Sequence, residues 1–118
     1  MSQRNKPLRT ANQRSVRRCA LVASVEVTEL RSGALLSARI SELGVGGCYV
    51  DAQNPFPEGA LVGLRILRDQ GVFETKAKVV YCDSRFGMGL AFIEMTPDQR
   101  SLLETWLAEI VSQLRPIS

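Results

Sequence analysis

Two stretches of this chain contain residues that could bind an anionic group. In the first, Arg14 and Arg18 stand four residues apart, with Arg17 between them. A guanidinium group is always charged, and its planar fork of donors suits a phosphate group or the edge of a guanine base. In the second, residues 44–47 contain three glycines in four positions. Glycine lets another group approach the backbone closely, so this stretch, the glycine turn, predicts either a tight hairpin or a docking surface.

The positive charge of the chain lies in its N-terminal segment. Residues 1–18 contain six arginines and lysines and no acid, whereas the remaining residues carry 9 basic and 12 acidic side chains. The net charge of +3 is therefore the sum of +6 and −3. Such an uneven distribution of charge is typical of a terminal segment that binds phosphate or an acidic surface. The alternative is a solvated tail, and we expect residues 1–12 to form a flexible basic arm.

Several kinds of chemistry are excluded by composition. Histidine is absent, which removes the commonest general base and the commonest metal ligand. The three cysteines, Cys19, Cys48 and Cys82, are odd in number and far apart, so neither a CxxC pair nor a disulfide framework is visible. We expect them to be small buried apolar residues. We also expect no enzymatic activity, no metal and no cofactor.

The composition is that of an ordinary single domain, with 118 residues, 45% hydrophobic and 23% charged. No apolar run reaches the roughly 18 residues that a membrane span requires. The N-terminal charges are not followed by the apolar segment of a signal peptide. We therefore expect a cytoplasmic protein without membrane insertion.

Apolar residues alternate with polar ones over residues 20–30, and this period of two predicts a half-buried strand. Similar segments bounded by turn residues predict five further strands, over residues 35–41, 48–50, 60–67, 72–81 and 90–93. The glycine turn then connects the second strand to the third. Residues 51–59, with two prolines, an asparagine and a glycine, predict a loop.

The C-terminal segment predicts one helix over about residues 97–114. Thr96 suits the N-cap, Pro97 the first helical position and Asp98 the first turn. One apolar face follows at three- and four-residue steps, formed by Leu103, Trp106, Leu107, Ile110, Val111 and Leu114. Six short strands and one amphipathic helix favour a small antiparallel barrel that the helix caps, with Trp106 in the core.

Three motifs in this order resemble a PilZ domain. They are Arg14-x-x-x-Arg18 before the first strand, Glu-Leu-Gly-Val-Gly-Gly at residues 42–47, and Gly-Met-Gly-Leu-Ala-Phe at residues 87–92 before the helix. The resemblance covers about residues 13–114 and implies one domain over that range, a six-stranded antiparallel β-barrel with a C-terminal helix. Typical PilZ domains bind cyclic di-GMP, a bacterial second messenger, so cyclic di-GMP is the implied ligand.

The resemblance also implies the ligand-binding residues. The RxxxR motif of the family is matched by Arg14 and Arg18. The second motif, an Asp or Asn followed by Ser and Gly, falls on Glu42, Gly44 and Gly47. Glu42 keeps the charge on a longer side chain, whereas Gly44 lacks the serine hydroxyl, a contact that is typically worth about 0.5–1.5 kcal/mol. The implied site is thus Arg14, Arg18, Glu42, Gly44 and Gly47, with Arg17 either a third contact or solvated.

Three functions remain open from the sequence. In the first, the arm orders around cyclic di-GMP and relays the signal to a protein effector, in processes such as motility or biofilm formation. In the second, a degenerate PilZ adaptor binds no nucleotide and acts through protein–protein contacts in motility or pilus machinery. The third, non-specific nucleic-acid binding, is disfavoured because aromatic residues make up only 6% and residues 19–118, which include the predicted barrel, are net acidic.

Overall fold

The computed structural model describes residues 18–69 and 71–114, with side chains described from residue 23 to residue 112 outside that gap. Six strands and one helix lie in this part of the chain: β1 (Arg18–Glu29), β2 (Leu35–Gly44), β3 (Gly47–Asp51), β4 (Leu61–Arg68), β5 (Gly71–Asp83), β6 (Gly87–Ile93) and α1 (Pro97–Leu114). All neighbouring strands are antiparallel, and the barrel closes in the order β1-β2-β3-β6-β5-β4. The predicted six-stranded antiparallel barrel with a C-terminal helix is confirmed.

The interior of the barrel is filled by alternate side chains of each strand. In β1, Val25 and Val27 are buried whereas Ser24 faces outward, which is the predicted period of two. Phe73 of β5 and Met88 of β6 are also fully buried. Burying one such side chain contributes about 1.5–3 kcal/mol relative to leaving it exposed. The core is therefore the main source of stability.

The helix begins where the sequence predicts. The Gln99 N–H donates to Thr96 Oγ1 at 3.2 Å, so Thr96 satisfies a backbone donor that the helix leaves unpaired. Trp106 is 4% exposed, packs against Phe73 with 6.3 Å between ring centroids, and confirms its predicted place in the core. A Cβ at Gly71 would lie 3.1 Å from Cζ2 of Trp106. The indole therefore packs closely against the start of β5.

Several strands are longer than the sequence predicts, always at a glycine or a charged residue. The expected end of β2 at residue 41 and the expected start of β6 at residue 90 are wrong, because the ladders continue to Gly44 and from Gly87. Likewise, β1 begins at Arg18 and not at residue 20. Alternation cannot reveal the ends that contain glycine, because glycine has no side chain, whereas its backbone pairs normally with neighbouring strands.

The cysteines do not form a site in the described part of the chain. Cys48 is buried in the core, as expected, whereas Cys82 is half-buried, and neither forms a disulfide bond within the described residues. The side chain of Cys19 lies outside the described residues. No cluster of three or more cysteines, aspartates and glutamates within residues 18–69 and 71–114 could hold a metal ion.

Candidate ligand-binding site

The β1–β2 ladder brings part of the basic segment to the glycine turn. Arg18 pairs with Gly44, and two residues further along β1, Ala20 pairs with Glu42. Paired residues on antiparallel strands have Cα atoms about 4.5–5.5 Å apart. The backbone thus places the second arginine of the RxxxR motif beside the second motif. Arg14 and Arg17 lie outside the described residues, as does the Arg18 side chain.

The three glycines of the turn have different surroundings. A Cβ at Gly46 would face open space, whereas a Cβ at Gly47 would collide with the backbone carbonyl of Leu90. Gly44 is buried and Gly46 is exposed. The Gly46 carbonyl accepts a hydrogen bond from the Phe92 N–H at 2.9 Å, which ties the turn to β6. Gly47 is therefore required by the fold, and Gly46 leaves room for an incoming group.

Glu42 lies exposed on the outer face of β2, next to an irregularity in the strand. Ser41 has no partner in the β2–β3 register, which passes from Ile40–Val50 directly to Glu42–Tyr49. Such a bulge re-aims the following side chain. The Ser41 hydroxyl donates to Asp51 Oδ1 at 3.1 Å, so it is directed away from Gly44 and toward the far end of β3. Ser41 therefore does not replace the hydroxyl that Gly44 lacks.

A row of cross-strand partners continues from Glu42 around the barrel. Glu42 pairs with Tyr49, Tyr49 with Gly89, and Gly89 with Tyr81. The two tyrosine rings have centroids 6.1 Å apart and are tilted by 36°. A Cβ at Gly89 would be 2.8 Å from Cζ of Tyr81, so this ring lies directly on the strand. Both tyrosines are half-buried, which leaves part of each ring open to solvent.

Tyr49 is held in place by contacts at the hydroxyl end of its ring. A Cβ at Gly87 would be 2.7 Å from Cε2 of Tyr49, and the Tyr49 hydroxyl donates to Asp83 Oδ2 at 2.7 Å. Partial burial, and then the hydrogen bond and negative charge of Asp83, raise the pKa of the Tyr49 phenol above its ordinary value. The phenol therefore stays protonated, and its ring stays fixed beside Glu42.

A lysine lies in the neighbouring row. Gly47 pairs with Ala91, and Ala91 pairs with Lys78, which is exposed. Two strand spacings of about 4.8 Å separate Gly47 from Lys78. Within the described residues, Lys78 forms no ion pair. Lys78, Tyr49 and Tyr81 carry no motif in the sequence. Only the strand pairing reveals that they face outward beside the glycine turn.

These groups together suit a nucleotide. A carboxylate accepts hydrogen bonds from the N1–H and N2–H₂ donors of guanine, an arginine forks onto phosphate or guanine, an aromatic face stacks on a base, and an ammonium group pairs with phosphate. The site needs no metal for any of these contacts.

Comparison with known proteins gives the family. A family model described as the PilZ domain matches residues 10–109, most of the chain. The chain belongs to the PilZ family. A search among curated proteins gave no match. No helix in the described part of the chain is long and apolar enough to cross a membrane.

Solved structures share this PilZ fold at low sequence identity. The PilZ domain of YcgR from Escherichia coli, solved with c-di-GMP, is 16% identical with a TM-score of 0.69, over 85% of this chain and 92% of that one. The inhibitor of motility MotI/DgrA of Bacillus subtilis is 19% identical with a TM-score of 0.70, over 97% of this chain but 54% of that one. The PilZ domain of CeSA from a cellulose-synthesizing bacterium is 16% identical with a TM-score of 0.61, over 81% of this chain and 96% of that one.

Proposed function

We propose that this PilZ domain binds cyclic di-GMP between its N-terminal arginines and the glycine turn, and relays binding to a protein effector. The pairing of Arg18 with Gly44 supports this proposal most directly, because it brings residues of both ligand motifs to one place on the barrel. The likeness to a PilZ domain solved with c-di-GMP supports the choice of ligand. The proposed role is binding and not catalysis.

Each residue of the proposed site has a distinct role. Arg14 and Arg18 bind phosphate or the O6 and N7 edge of guanine, with Arg17 as a further cation. Glu42 accepts hydrogen bonds from guanine N1–H and N2–H₂. Gly44 and Gly47 shape the turn that the ligand contacts, and Gly46, which faces open space, lets the ligand approach the backbone.

The cross-strand partners that follow Glu42 and Gly47 around the barrel extend this proposed site. Tyr49 and Tyr81 offer ring surface for a base, and stacking of a base on an aromatic ring is worth about 1–3 kcal/mol. Lys78 provides a cation for a phosphate on that side. We divide the chain into an arm at residues 1–12 and a domain at residues 13–114. The arm would become ordered when the ligand bridges Arg14 and the barrel.

A second candidate is an adaptor that binds no nucleotide and acts through protein contacts. Glu42 and Gly44 favour it, because both depart from the second ligand motif of the family. The fold likeness to an inhibitor of motility is compatible with this role.

Calorimetric titration separates the two candidates. The wild-type chain is titrated with cyclic di-GMP, cyclic di-AMP and GTP, and the double variant Arg14→Ala with Arg18→Ala is titrated beside it. We expect binding of cyclic di-GMP alone, and a loss of at least about 100-fold in the double variant, since each lost hydrogen bond to a charged group contributes about 1.5–3 kcal/mol.

The matched control is Arg31→Ala with Arg100→Ala, which removes two exposed arginines away from the site. It should bind cyclic di-GMP like the wild type. Absence of heat with wild-type protein at high micromolar ligand would reject the sensor and leave the adaptor. Strong, salt-dependent binding to random DNA would instead support the nucleic-acid function.

A further inference from the structure

A groove lies at the end of the barrel opposite the glycine turn. Its volume is about 540 Å³, and β2, the loop after β3 and the β5–β6 turn form its walls. The lining includes Leu36, Ala38, Arg39, Asn54, Arg85 and Phe86. None of these residues belongs to the proposed ligand site, so the groove is a separate surface.

Phe86 is an exposed apolar residue on a fixed backbone. Its relative exposure is 74%, the highest among the exposed large apolar residues of the described chain. Its N–H donates to the Asp83 carbonyl at 2.9 Å, and its carbonyl accepts from the Ala52 N–H at 3.0 Å. An aromatic residue on an ordered backbone loses little conformational freedom when a partner covers it. Aromatic residues and arginine are also enriched at the centres of protein interfaces.

Two arginines flank this ring. Arg39 and Arg85 are exposed, and neither forms an ion pair within residues 18–69 and 71–114. The nearby carboxylates have other partners, since Asp51 accepts from Ser41 and Asp83 accepts from Tyr49. Arg85 has a φ of 71°, a left-handed conformation that is uncommon for a residue other than glycine and that often marks a functional turn.

We propose that this groove binds an acidic segment of a partner protein, with an apolar side chain of that segment packed against Phe86. The two guanidinium groups would each take a carboxylate, and Leu36 with Ala38 would extend the apolar surface. A basic segment does not fit, which excludes residues 1–18 of this chain, with their six cations and no acid. The groove thus gives the chemistry of the effector that the proposed function requires.

Strand β3 joins the glycine turn to the groove. It begins with Gly47 at the glycine turn and ends with Asp51 at the groove. Four residue steps of about 3.3 Å separate these ends by about 13 Å. The same strand therefore contributes to both surfaces.

Fluorescence anisotropy with synthetic peptides tests the groove. The probe is a labelled ten-residue peptide of aspartate and glutamate with a central Leu-Phe pair, titrated with the full chain at physiological salt. We expect a dissociation constant of about 10–100 μM, and about tenfold weaker binding to the variant Arg39→Glu with Arg85→Glu, because both carboxylate contacts become repulsive. Phe86→Ser, or replacing the Leu-Phe pair by serine, should weaken binding about fivefold.

Two matched controls decide whether the groove itself is responsible. Arg31→Glu with Arg100→Glu makes the same charge change outside the groove, and Leu61→Ser changes a half-exposed apolar residue on another surface. Both should bind the peptide like the wild type. Equal losses in the control and groove variants would mean non-specific attraction and would overturn the proposal. Loss only in Arg14→Ala with Arg18→Ala would place the peptide on these two arginines, with the same consequence.

The peptide experiment tests the groove independently of cyclic di-GMP binding. Arg39→Glu with Arg85→Glu should leave cyclic di-GMP titration unchanged, so a chain that binds the peptide but no nucleotide rejects the ligand proposal and retains the groove. A chain that binds nucleotide but no acidic peptide rejects the groove proposal and retains the ligand proposal. Sedimentation velocity measures the oligomeric state. A dimer in the wild type that Phe86→Ser converts to a monomer would mean that a second copy of the chain occupies the groove, and it would overturn the proposal of an acidic partner.

Discussion

Glycines occur in two parts of the outer barrel wall, and they differ in what lies above them. Gly87 and Gly89 of β6 lie beneath the rings of Tyr49 and Tyr81, which fill the space where a side chain would stand. Gly46 in the glycine turn faces open space. The same residue type therefore serves the packing of the wall in one place and access to the wall in the other. Substitutions should separate these two uses, because the first affects folding and the second affects binding.

The largest effect is expected at Gly87. In Gly87→Ala the new Cβ would meet the Val50 carbonyl and the Tyr49 ring, so either the strand or the ring must move. Overpacking of this kind typically costs about 1–3 kcal/mol, and the backbone contact favours the upper end. Urea denaturation of Gly87→Ala should show this loss. The control is Gly46→Ala, where a similar loss would contradict the difference between the two regions.

A binding effect without a folding effect is expected at Gly46. In Gly46→Leu the side chain enters open space, so the free energy of unfolding should stay within about 0.5 kcal/mol of the wild type. The same side chain would occupy the approach to the glycine turn, and we expect cyclic di-GMP affinity to fall about tenfold, equivalent to about 1.4 kcal/mol. Calorimetry and urea denaturation on one preparation measure both. Unchanged affinity would show that the ligand does not approach over Gly46.

A gain of affinity is expected at Gly44. Gly44→Ser restores the hydroxyl of the family motif, and one hydrogen bond contributes about 0.5–1.5 kcal/mol, or about two- to tenfold in affinity. Calorimetric titration with cyclic di-GMP measures the gain. A folded variant with unchanged affinity would mean that the missing hydroxyl does not limit binding.

The smallest effect concerns the tyrosine-covered part of the wall. Tyr49→Phe removes the hydrogen bond to Asp83 and should destabilise the fold by about 0.5–1.5 kcal/mol at neutral pH. Because the folded-state pKa of Tyr49 is raised, its contribution is fully present below the unfolded-state pKa of about 10 and is lost as pH rises further. The urea midpoints of wild type and Tyr49→Phe should therefore converge above pH 10. A constant difference up to pH 12 would mean that the raised pKa does not contribute to stability.

The fold could be predicted from the sequence because its core residues alternate. Val25 and Val27 in β1 gave the strand period, and Thr96 with Trp106 gave the start and the buried face of the helix. The glycine-containing strand ends were missed because glycine adds nothing to a hydrophobic pattern. Their pairing depends on neighbours that are distant in sequence.

The candidate site was only partly predictable for the same reason. Glu42, Gly44 and Gly47 came from the resemblance to a family, and the structure places them beside Arg18. Tyr49, Tyr81 and Lys78 could not be selected, because only the β3–β6 and β5–β6 registers bring them next to the turn. Phe86 was likewise missed, since a sequence cannot tell an exposed ring from a buried one.

Closure of the barrel limits how this domain can recognise another protein. Every strand in the described part of the chain has a partner on both sides, so none presents a full-length open edge; only short stretches, such as residues 35–38 of β2, pair on one side. A bound peptide therefore finds no complete edge to extend as a further strand, the mode that supplies affinity through the backbone regardless of sequence. Recognition depends largely on side chains at the rims and in the turns. New partners can therefore be acquired by substitutions there, at positions such as Arg85 and Phe86, while the core that specifies the fold stays unchanged.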